Sequence, residues 1–291
     1  MKIMVIGASG FLGRKIFENL SEGHEIIGTY MMRKRDNLHY LDATDKKQVE
    51  NFLLKYHPDR VIDTVGWANL FAAESKPEGV LAINYLTAKN IGEVCKKENI
   101  PVTFISSSYI FDGSRGNYSE KDTPNPKNQY GKTKIMAEKE ILKLKNSIVI
   151  RTDMLYGYNG GNNDKNFLKA LFEGGVVNIR NPSQVRSPTF IEDIAPAILK
   201  LWDKRKYGIF NIAGPEKMTK YDFFKNISNR INKDIKFILE EESPERSRIV
   251  PHDTSLDISQ IKELGIKMHN LEESVKILRK QMEKGHSPNL D

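Results

Sequence analysis

The first thirteen residues constrain the fold of this chain more than any other stretch. Lys2 to Ile6 (KIMVI) is a short apolar run of strand character, and Gly7-Ala8-Ser9-Gly10-Phe11-Leu12-Gly13 follows it without a break. A helix is predicted from about Phe11 to Leu20. In such a strand–turn–helix the first glycine permits the tight turn and the second lets a pyrophosphate approach the backbone. The third allows helix and strand to pack closely, and the helix start presents N–H groups and a positive dipole end. Gly7, Ser9, Gly10, Phe11, Leu12 and Gly13 are therefore candidate contacts for a dinucleotide. A glycine run of this kind is weak evidence alone, since a structural turn could explain it. Its place directly after the first strand carries the reading.

Beyond this turn, short apolar runs alternate with helical stretches. Strands are predicted at 25–30 (EIIGTY), 60–65 (RVIDTV), 102–106 (VTFIS) and 147–152 (SIVIRT), with helices over 80–98 and near 129–145. In the first of these helices Leu81, Tyr85, Ala88, Ile91, Gly92 and Cys95 fall on or near one face. Strands apolar on both faces imply a parallel sheet covered by helices on each side. After Thr152 the rhythm loosens, with helices predicted at 164–173, 191–204, 219–232, 257–263 and 271–283 and strands near 176–180, 208–213 and 235–239. The expected architecture is thus α/β: a Rossmann-type, doubly wound parallel sheet over residues 1–153, then a smaller mixed α/β substrate lobe over 154–291. Some segments of that lobe could return to the sheet. The polar tail KGHSPNLD is expected to fray.

The end of the second strand bears on the choice between NAD and NADP(H). An NAD site usually carries an acid there for the ribose 2′-hydroxyl. Here Thr29-Tyr30-Met31-Met32-Arg33-Lys34-Arg35 has no acid before Asp36. Arg33 and its neighbours could pair with a 2′-phosphate that a carboxylate would repel. NADP(H) is therefore favoured, with a solvated basic loop as the alternative.

Tyr130-Gly131-Lys132-Thr133-Lys134 places Tyr130 and Lys134 on one helix face, with Lys132 roughly 200° away. Moving a phenol from a pKa near 10 towards neutrality requires roughly 4 kcal/mol. A nearby ammonium and an oxidised nicotinamide can supply energy of that order. Such a tyrosine can pass its proton to a carbonyl oxygen, provided a hydroxyl also holds that carbonyl. The run Ser106-Ser107-Ser108 follows a predicted strand at its carboxyl end, where open α/β sheets place ligands.

With these motifs the chain resembles the dTDP-4-dehydrorhamnose reductase family of extended short-chain dehydrogenases, over nearly its whole length. The strongest section is ISSSYIFDGSRGNYSEKDTPNPKNQYGKTK (105–134). Further echoes are LDATD (41–45), TVGW (64–67), AINYLTAKNI (82–91), RTDMLYG (151–157), QVRSPTFIEDIA (184–195) and HDTSLD (252–257). The resemblance implies that Ser107 stands at the catalytic threonine's place, that Tyr130 is the proton donor and that Lys134 binds the ribose. It also implies that Asp42 and Ala43 lie near the adenine, that Thr64, Val65 and Gly66 run along the cofactor, and that Asn84 belongs to a helix supporting the site. Ser107, Ser108, Tyr109, Met154 and Arg186 fall at substrate-side positions. The departures are on that side: Ser108 for an acid, Met154 for an aromatic residue, Arg186 for a glycine and Val250 for an arginine. Arg186 reads either as a pocket cation for a nucleotide diphosphate or as a surface residue.

The implied activity is NADPH-dependent reduction of a 4-keto group on a nucleotide-activated deoxysugar. A sugar-nucleotide dehydratase or epimerase is the nearest enzymatic alternative. Ser108 and Tyr109 stand where a dehydratase needs its acid–base pair, which argues against elimination. The other alternative is a non-catalytic NADP-binding subunit, since the regulatory β subunit of methionine adenosyltransferase resembles the same family. The net charge of +7 is spread along the chain, so neither nucleic acid nor a membrane is an expected partner. The expected partners are a nucleotide sugar and a second copy in a homodimer. A single cysteine, Cys95, and an N-terminus too short in apolar residues for a leader suit a cytoplasmic protein. Cys95 reads as a packed helix residue, Glu192-Asp193 as a helix start, and Leu271, Val275, Leu278 and Met282 as a core or interface stripe. The scattered histidines give no metal pattern.

Overall fold

The computed structural model describes residues 1–158, 167–231, 235–241 and 243–285. The first half runs β1 (Lys2–Ile6), α1 (Phe11–Ser21), β2 (Glu25–Tyr30), β3 (Leu38–Tyr40), α2 (Lys46–Tyr56), β4 (Arg60–Asp63), α3 (Leu70–Ser75), α4 (Pro77–Leu81), α5 (Thr87–Lys97), β5 (Val102–Ser107), α6 (Gln129–Ile141) and β6 (Ile148–Thr152). The second half adds β7 (Leu155–Tyr156), α7 (Phe167–Glu173), β8 (Gly175–Arg180), β9 (Val185–Arg186), β10 (Thr189–Phe190), α8 (Ile194–Asp203), β11 (Gly208–Asn211), β12 (Met218–Thr219), α9 (Lys220–Ile231), β13 (Ile235–Glu240), α10 (Pro244–Ser247), α11 (Ser259–Glu263) and α12 (Leu271–Gly285).

Seven strands form one parallel sheet in the order β11-β6-β5-β4-β1-β2-β3. Alternate side chains of β1 serve opposite faces. Ile3 and Val5 join a core with α1 (Leu12, Ile16, Leu20) and α8 (Ile194, Ile198, Leu201), whereas Met4 and Ile6 join one with α2, α5 and α6. Both faces are therefore covered, as the apolar strands require. The strand order reverses between β1 and β4, which opens a crevice at their carboxyl ends. A third core, with Tyr156, Phe190, Phe223, Leu271, Val275 and Leu278, holds together β8, β13, α7, α9 and α12. Gly208–Asn211 is not part of it, because its backbone pairs with β6 at the edge of the main sheet.

Three differences from the sequence pattern have physical causes. The predicted 80–98 helix is interrupted by a π turn at Ala82–Leu86, which shifts the helical phase. Leu81 is consequently exposed while Asn84 turns fully inward. The three-residue β3 carries no apolar period and exists through its pairing with β2. Helix α2 starts on an N-cap in which the Asp45 carboxylate accepts from the Lys47 and Gln48 N–H groups and from the Gln48 side chain. Predictions that fall on residues 159–166, 232–234, 242 and 286–291, including most of the polar tail, lie outside the described residues.

Candidate active site

The glycine turn occupies the crevice between β1 and β4. Gly7 adopts φ +86°, a conformation open to glycine, and its carbonyl accepts the Gly10 N–H at 2.9 Å. Gly10 caps α1 with no side-chain hydrogen bond, so no side chain of the cap closes the first turn. Gly13 packs so closely that a Cβ there would lie 2.3 Å from the Gly7 carbonyl oxygen and 2.5 Å from Thr64 Oγ1. Thr64 Oγ1 is itself held by donation to the Ile6 carbonyl at 2.8 Å. Gly13→Ala is therefore expected to force α1 off the turn, costing about 1–3 kcal/mol of stability and at least tenfold in NADPH affinity. Thermal unfolding and a fluorescence titration with NADPH measure both.

At the next strand ends, Tyr30 is half-buried with its ring edge-on to Tyr40 at 5.8 Å, and Arg33 is exposed. Asp42 accepts from the Thr44 N–H and hydroxyl at 2.9 and 2.6 Å. Ala43 is buried, and its carbonyl accepts from Asn90 of α5 at 3.1 Å. Asn90 therefore ties the 42–44 loop to the helix layer, a role that nothing in the local sequence announces.

Tyr130 and Lys134 share the inner face of α6, and Lys132 is exposed on the other. Asn128 caps the helix by accepting from the Gly131 N–H at 2.8 Å. Gly131 leaves room for the Tyr109 carbonyl, which a Cβ would meet at 2.2 Å, and this brings the Tyr109 and Tyr130 rings edge to face at 6.2 Å. Ser107 ends β5, and its hydroxyl accepts the Tyr109 N–H at 3.2 Å. Asn84, displaced inward by the π turn, donates to Thr133 Oγ1 at 3.1 Å and accepts the Trp67 N–H at 2.6 Å. The side chains of Trp67, Tyr109 and Val250 pack beside Tyr130, Leu70, Ala73 and Val80.

The electrostatics of this group are set by burial. Burial pushes the Tyr130 phenol up from its ordinary value, the Ser107 hydroxyl lowers it, Tyr109 raises it, and the Arg186 cation lowers it. Burial also pushes the Lys134 ammonium down to about 8, against the carboxylates of Asp63 and Glu138. Lys134 Nζ donates to the Ile105 carbonyl at 2.7 Å and sits 4.3 Å from the centre of the Phe104 ring. Asp63, at the end of β4, pairs in register with Phe104 and is fully buried. Its Oδ1 accepts the Val65 N–H at 2.9 Å, and its Oδ2 has no hydrogen-bond partner among the described residues. Burial raises its carboxyl to about 6 in spite of the Lys134 charge. The predicted strand at 60–65 contained this acid, yet the sequence reading did not single it out.

On the β9 side of this group, Arg186 is 5% exposed, which removes the surface-residue alternative. It forms an ion pair with the wholly enclosed Asp153 and lies over the Tyr109 ring, Cζ 4.3 Å from its centre. The Asp153 carboxylate also accepts from the Ser108 hydroxyl at 2.8 Å and the Ser187 N–H at 2.7 Å. Ser108 is therefore engaged beneath the surface (0% exposed), with Thr254 Oγ1 at 3.2 Å. Met154 is half-buried with φ +28° and packs towards the third core. Ser107, Tyr109, Tyr130 and Arg186 thus form one group, with Lys134 and Asp63 beneath it. Ser108 lies behind it on the Asp153 carboxylate, whereas Met154 packs towards the third core. Glu192 pairs with Lys15 at 2.9 Å, and Asp193 with His269. Cys95 is buried, and burial raises its thiol.

A glycine turn at the switch point of a parallel sheet, facing a tyrosine–lysine helix, places the molecule in the short-chain dehydrogenase class. Within that class, the chain belongs to the family described as the RmlD substrate binding domain, whose pattern matches residues 1–284. It is 28% identical over 291 residues to a probable low-salt glycan biosynthesis reductase of Haloferax volcanii, covering 96% of this chain and 97% of that one. It is equally 28% identical over 279 residues to the methionine adenosyltransferase 2 subunit beta of Xenopus tropicalis, covering 91% and 83%. Among solved structures it is similar to the dTDP-4-dehydrorhamnose reductase of Bacillus anthracis in complex with NADP, with a TM-score of 0.83, 25% identity, and coverage of 96% and 99%.

Proposed function

We propose that this protein is an NADP(H)-dependent reductase of a 4-keto group on a nucleotide-activated deoxysugar. The observation that carries this reading is the meeting of Ser107 and Tyr130, with Lys134 beneath them, at the carboxyl end of the sheet beside the glycine turn. The cradle fits a dinucleotide: Gly13 has no room for a Cβ, and Gly10 leaves the helix start without a side-chain cap. Gly7 to Gly13 would hold the pyrophosphate, and Tyr30, Asp42, Ala43 and Arg33 the adenosine end, Arg33 being exposed for a 2′-phosphate. Thr64 to Gly66 would border the cofactor's path towards Lys134. NADPH, when bound, supplies the hydride. Ser107 holds the substrate carbonyl by a hydrogen bond, Tyr130 delivers the proton to its oxygen, and Lys134 contributes charge and a ribose contact. Tyr109, Met154 and Arg186, with Ser108 behind them, shape the sugar side. The elements built on the third core, rather than all of residues 154–291, form the substrate lobe.

A second reading has its own support, the 28% identity to a methionine adenosyltransferase β subunit. On that reading the protein binds NADP(H) and turns nothing over. One experiment separates the two: purified protein is incubated with NADPH and a panel of nucleotide 4-keto sugars, and cofactor oxidation is followed. Turnover with one of them is the expected result. Tight NADPH binding without turnover on any would sink the reductase reading in favour of the binding subunit.

A further inference from the structure

Two cations flank the Tyr130–Ser107 pair, and they are held in different ways. Lys134 directs its ammonium downward, to the Ile105 carbonyl and the face of Phe104, with Asp63 as the counter-charge. Arg186 comes from β9. Its guanidinium is fixed between the Asp153 carboxylate and the Tyr109 ring, and Tyr109 meets Tyr130 edge to face at 6.2 Å. The Asp153 carboxylate is fixed in turn by Ser108 and the Ser187 N–H. Arg186 Nη1 is buried and has no hydrogen-bond partner among the described residues. A cation clamped this firmly, with little access to solvent, is poorly placed to follow a mobile diphosphate. It is well placed to act through space at low dielectric.

We infer that Arg186 is a positioning residue for the proton donor, the cation that stabilises negative charge on the Tyr130 oxygen from the substrate side of the pocket. The inference rests on Tyr130 acting as the acid. Charge on the phenol oxygen grows as the proton leaves, so a fixed guanidinium nearby favours transfer, and the Asp153 carboxylate behind it moderates the effect. Among the described residues, the titratable or charged groups around Tyr130 are Tyr109 from the turn after β5, Arg186 from β9 with Asp153 behind it, and Lys134 one turn along α6, while Glu74 of α3 accepts the N–H of the neighbouring Gln129 at 2.7 Å. Helix α4 contributes only the apolar Val80, and the loop before Pro251 only Val250. Of these, burial and Tyr109 raise the phenol, whereas Ser107 and Arg186 lower it.

The test follows the ionisation of Tyr130 directly, by NMR of protein carrying Cζ-labelled tyrosine and loaded with NADP+, Tyr130→Phe identifying its resonance. Arg186→Gln is expected to raise the titration of Tyr130 by roughly one pH unit, a tenfold change in its ionisation. Arg186→Lys keeps the charge and is expected to restore most of the wild-type value. Asp153→Asn leaves the guanidinium uncompensated and is expected to shift the titration the other way. Binding of NADPH at the glycine turn reports that each variant has folded. Should Arg186→Gln fail that control, the double variant Arg186→Gln/Asp153→Asn leaves no unpaired charge and is expected to give a smaller upward shift. An unmoved Tyr130 in the folded neutral variant, or the same shift with Lys as with Gln, overturns the inference. The titration needs no turnover. A shifted Tyr130 in a protein that reduces no sugar would leave the charge coupling between Arg186 and Tyr130 standing but remove the proton-donor role with the reductase reading, and an unshifted one in an active reductase would keep that reading and overturn the coupling.

Discussion

Tyr130→Phe is expected to lower turnover of the accepted 4-keto sugar by about 10²–10⁴-fold while leaving NADPH affinity within a few-fold of wild type. The size of the effect follows from what the substitution removes. The proposed acid is the Tyr130 phenol beside Ser107, and the Ser107 hydroxyl that remains is a far weaker acid, able to hold the carbonyl but poor at giving up its proton. The smallness of the binding effect follows from distance and packing. The pyrophosphate cradle is built from Gly7 to Gly13, and the phenyl ring keeps its place among Leu70, Ala73, Val80 and the edge of Tyr109. Stability should change by only about 1 kcal/mol, the worth of one hydroxyl. Steady-state rates and an NADPH titration on the same preparation decide the matter. Unchanged turnover would show that the proton comes from elsewhere, and lost binding would show that Tyr130 holds the cofactor rather than the substrate.

Much of this site can be read from local pattern, because its parts are contiguous. The turn at 7–13 lies between a strand and a helix of ordinary period, and Tyr130 and Lys134 share a face for reasons of helix geometry alone. Ser107 is placed by the apolar run that it terminates. What stays hidden depends on contacts across the fold. Arg186 looks like either a surface or a pocket residue until Asp153, distant in sequence, is seen to bury its charge. The inward turn of Asn84 depends on a π turn, and a constant period of 3.6 cannot anticipate the phase change that exposes Leu81. Likewise β3 has too few residues to show a period, and β11 returns to the main sheet by pairing with β6, a choice its own residues do not encode. Helix α2 is different, since Asp45 ahead of it is an ordinary N-cap residue whose local signal the apolar period passes over. Asp63 is the most instructive omission. An acid closing an otherwise buried strand has to find a counter-charge, but which cation supplies it depends on how α6 packs against β4 and β5, and the local pattern does not show that.

That pair gives the second large effect. Lys134→Met is expected to destabilise the protein by about 1–3 kcal/mol at neutral pH, a fall of roughly 2–12 °C in melting temperature, because it removes the through-space charge that offsets the buried Asp63 carboxylate. The pH dependence identifies the cause. Asp63 is already raised to about 6, so the folded chain holds a proton there that the unfolded chain releases near pH 4, and stability from this group falls as pH rises across that interval. Without the Lys134 charge the folded value moves higher, and the loss should extend through neutrality. Lys134 has the opposite sign of pH dependence. Its ammonium is lowered to about 8, so the folded chain gives up a proton that the unfolded chain keeps until above 10, and stability from this group rises with pH in that window. In Lys134→Met that rise should vanish. Adding Asp63→Asn should recover much of the lost stability, since it removes the buried charge that Lys134 had offset. The single Asp63→Asn variant should instead lower the pH at which Lys134 loses its proton below about 8. Where that ammonium contacts the ribose, NADPH affinity should then begin to weaken at a correspondingly lower pH. Unfolding curves across this pH range for the four proteins would expose a wrong assignment. If the double variant is no more stable than Lys134→Met, Asp63 is not the group that Lys134 neutralises.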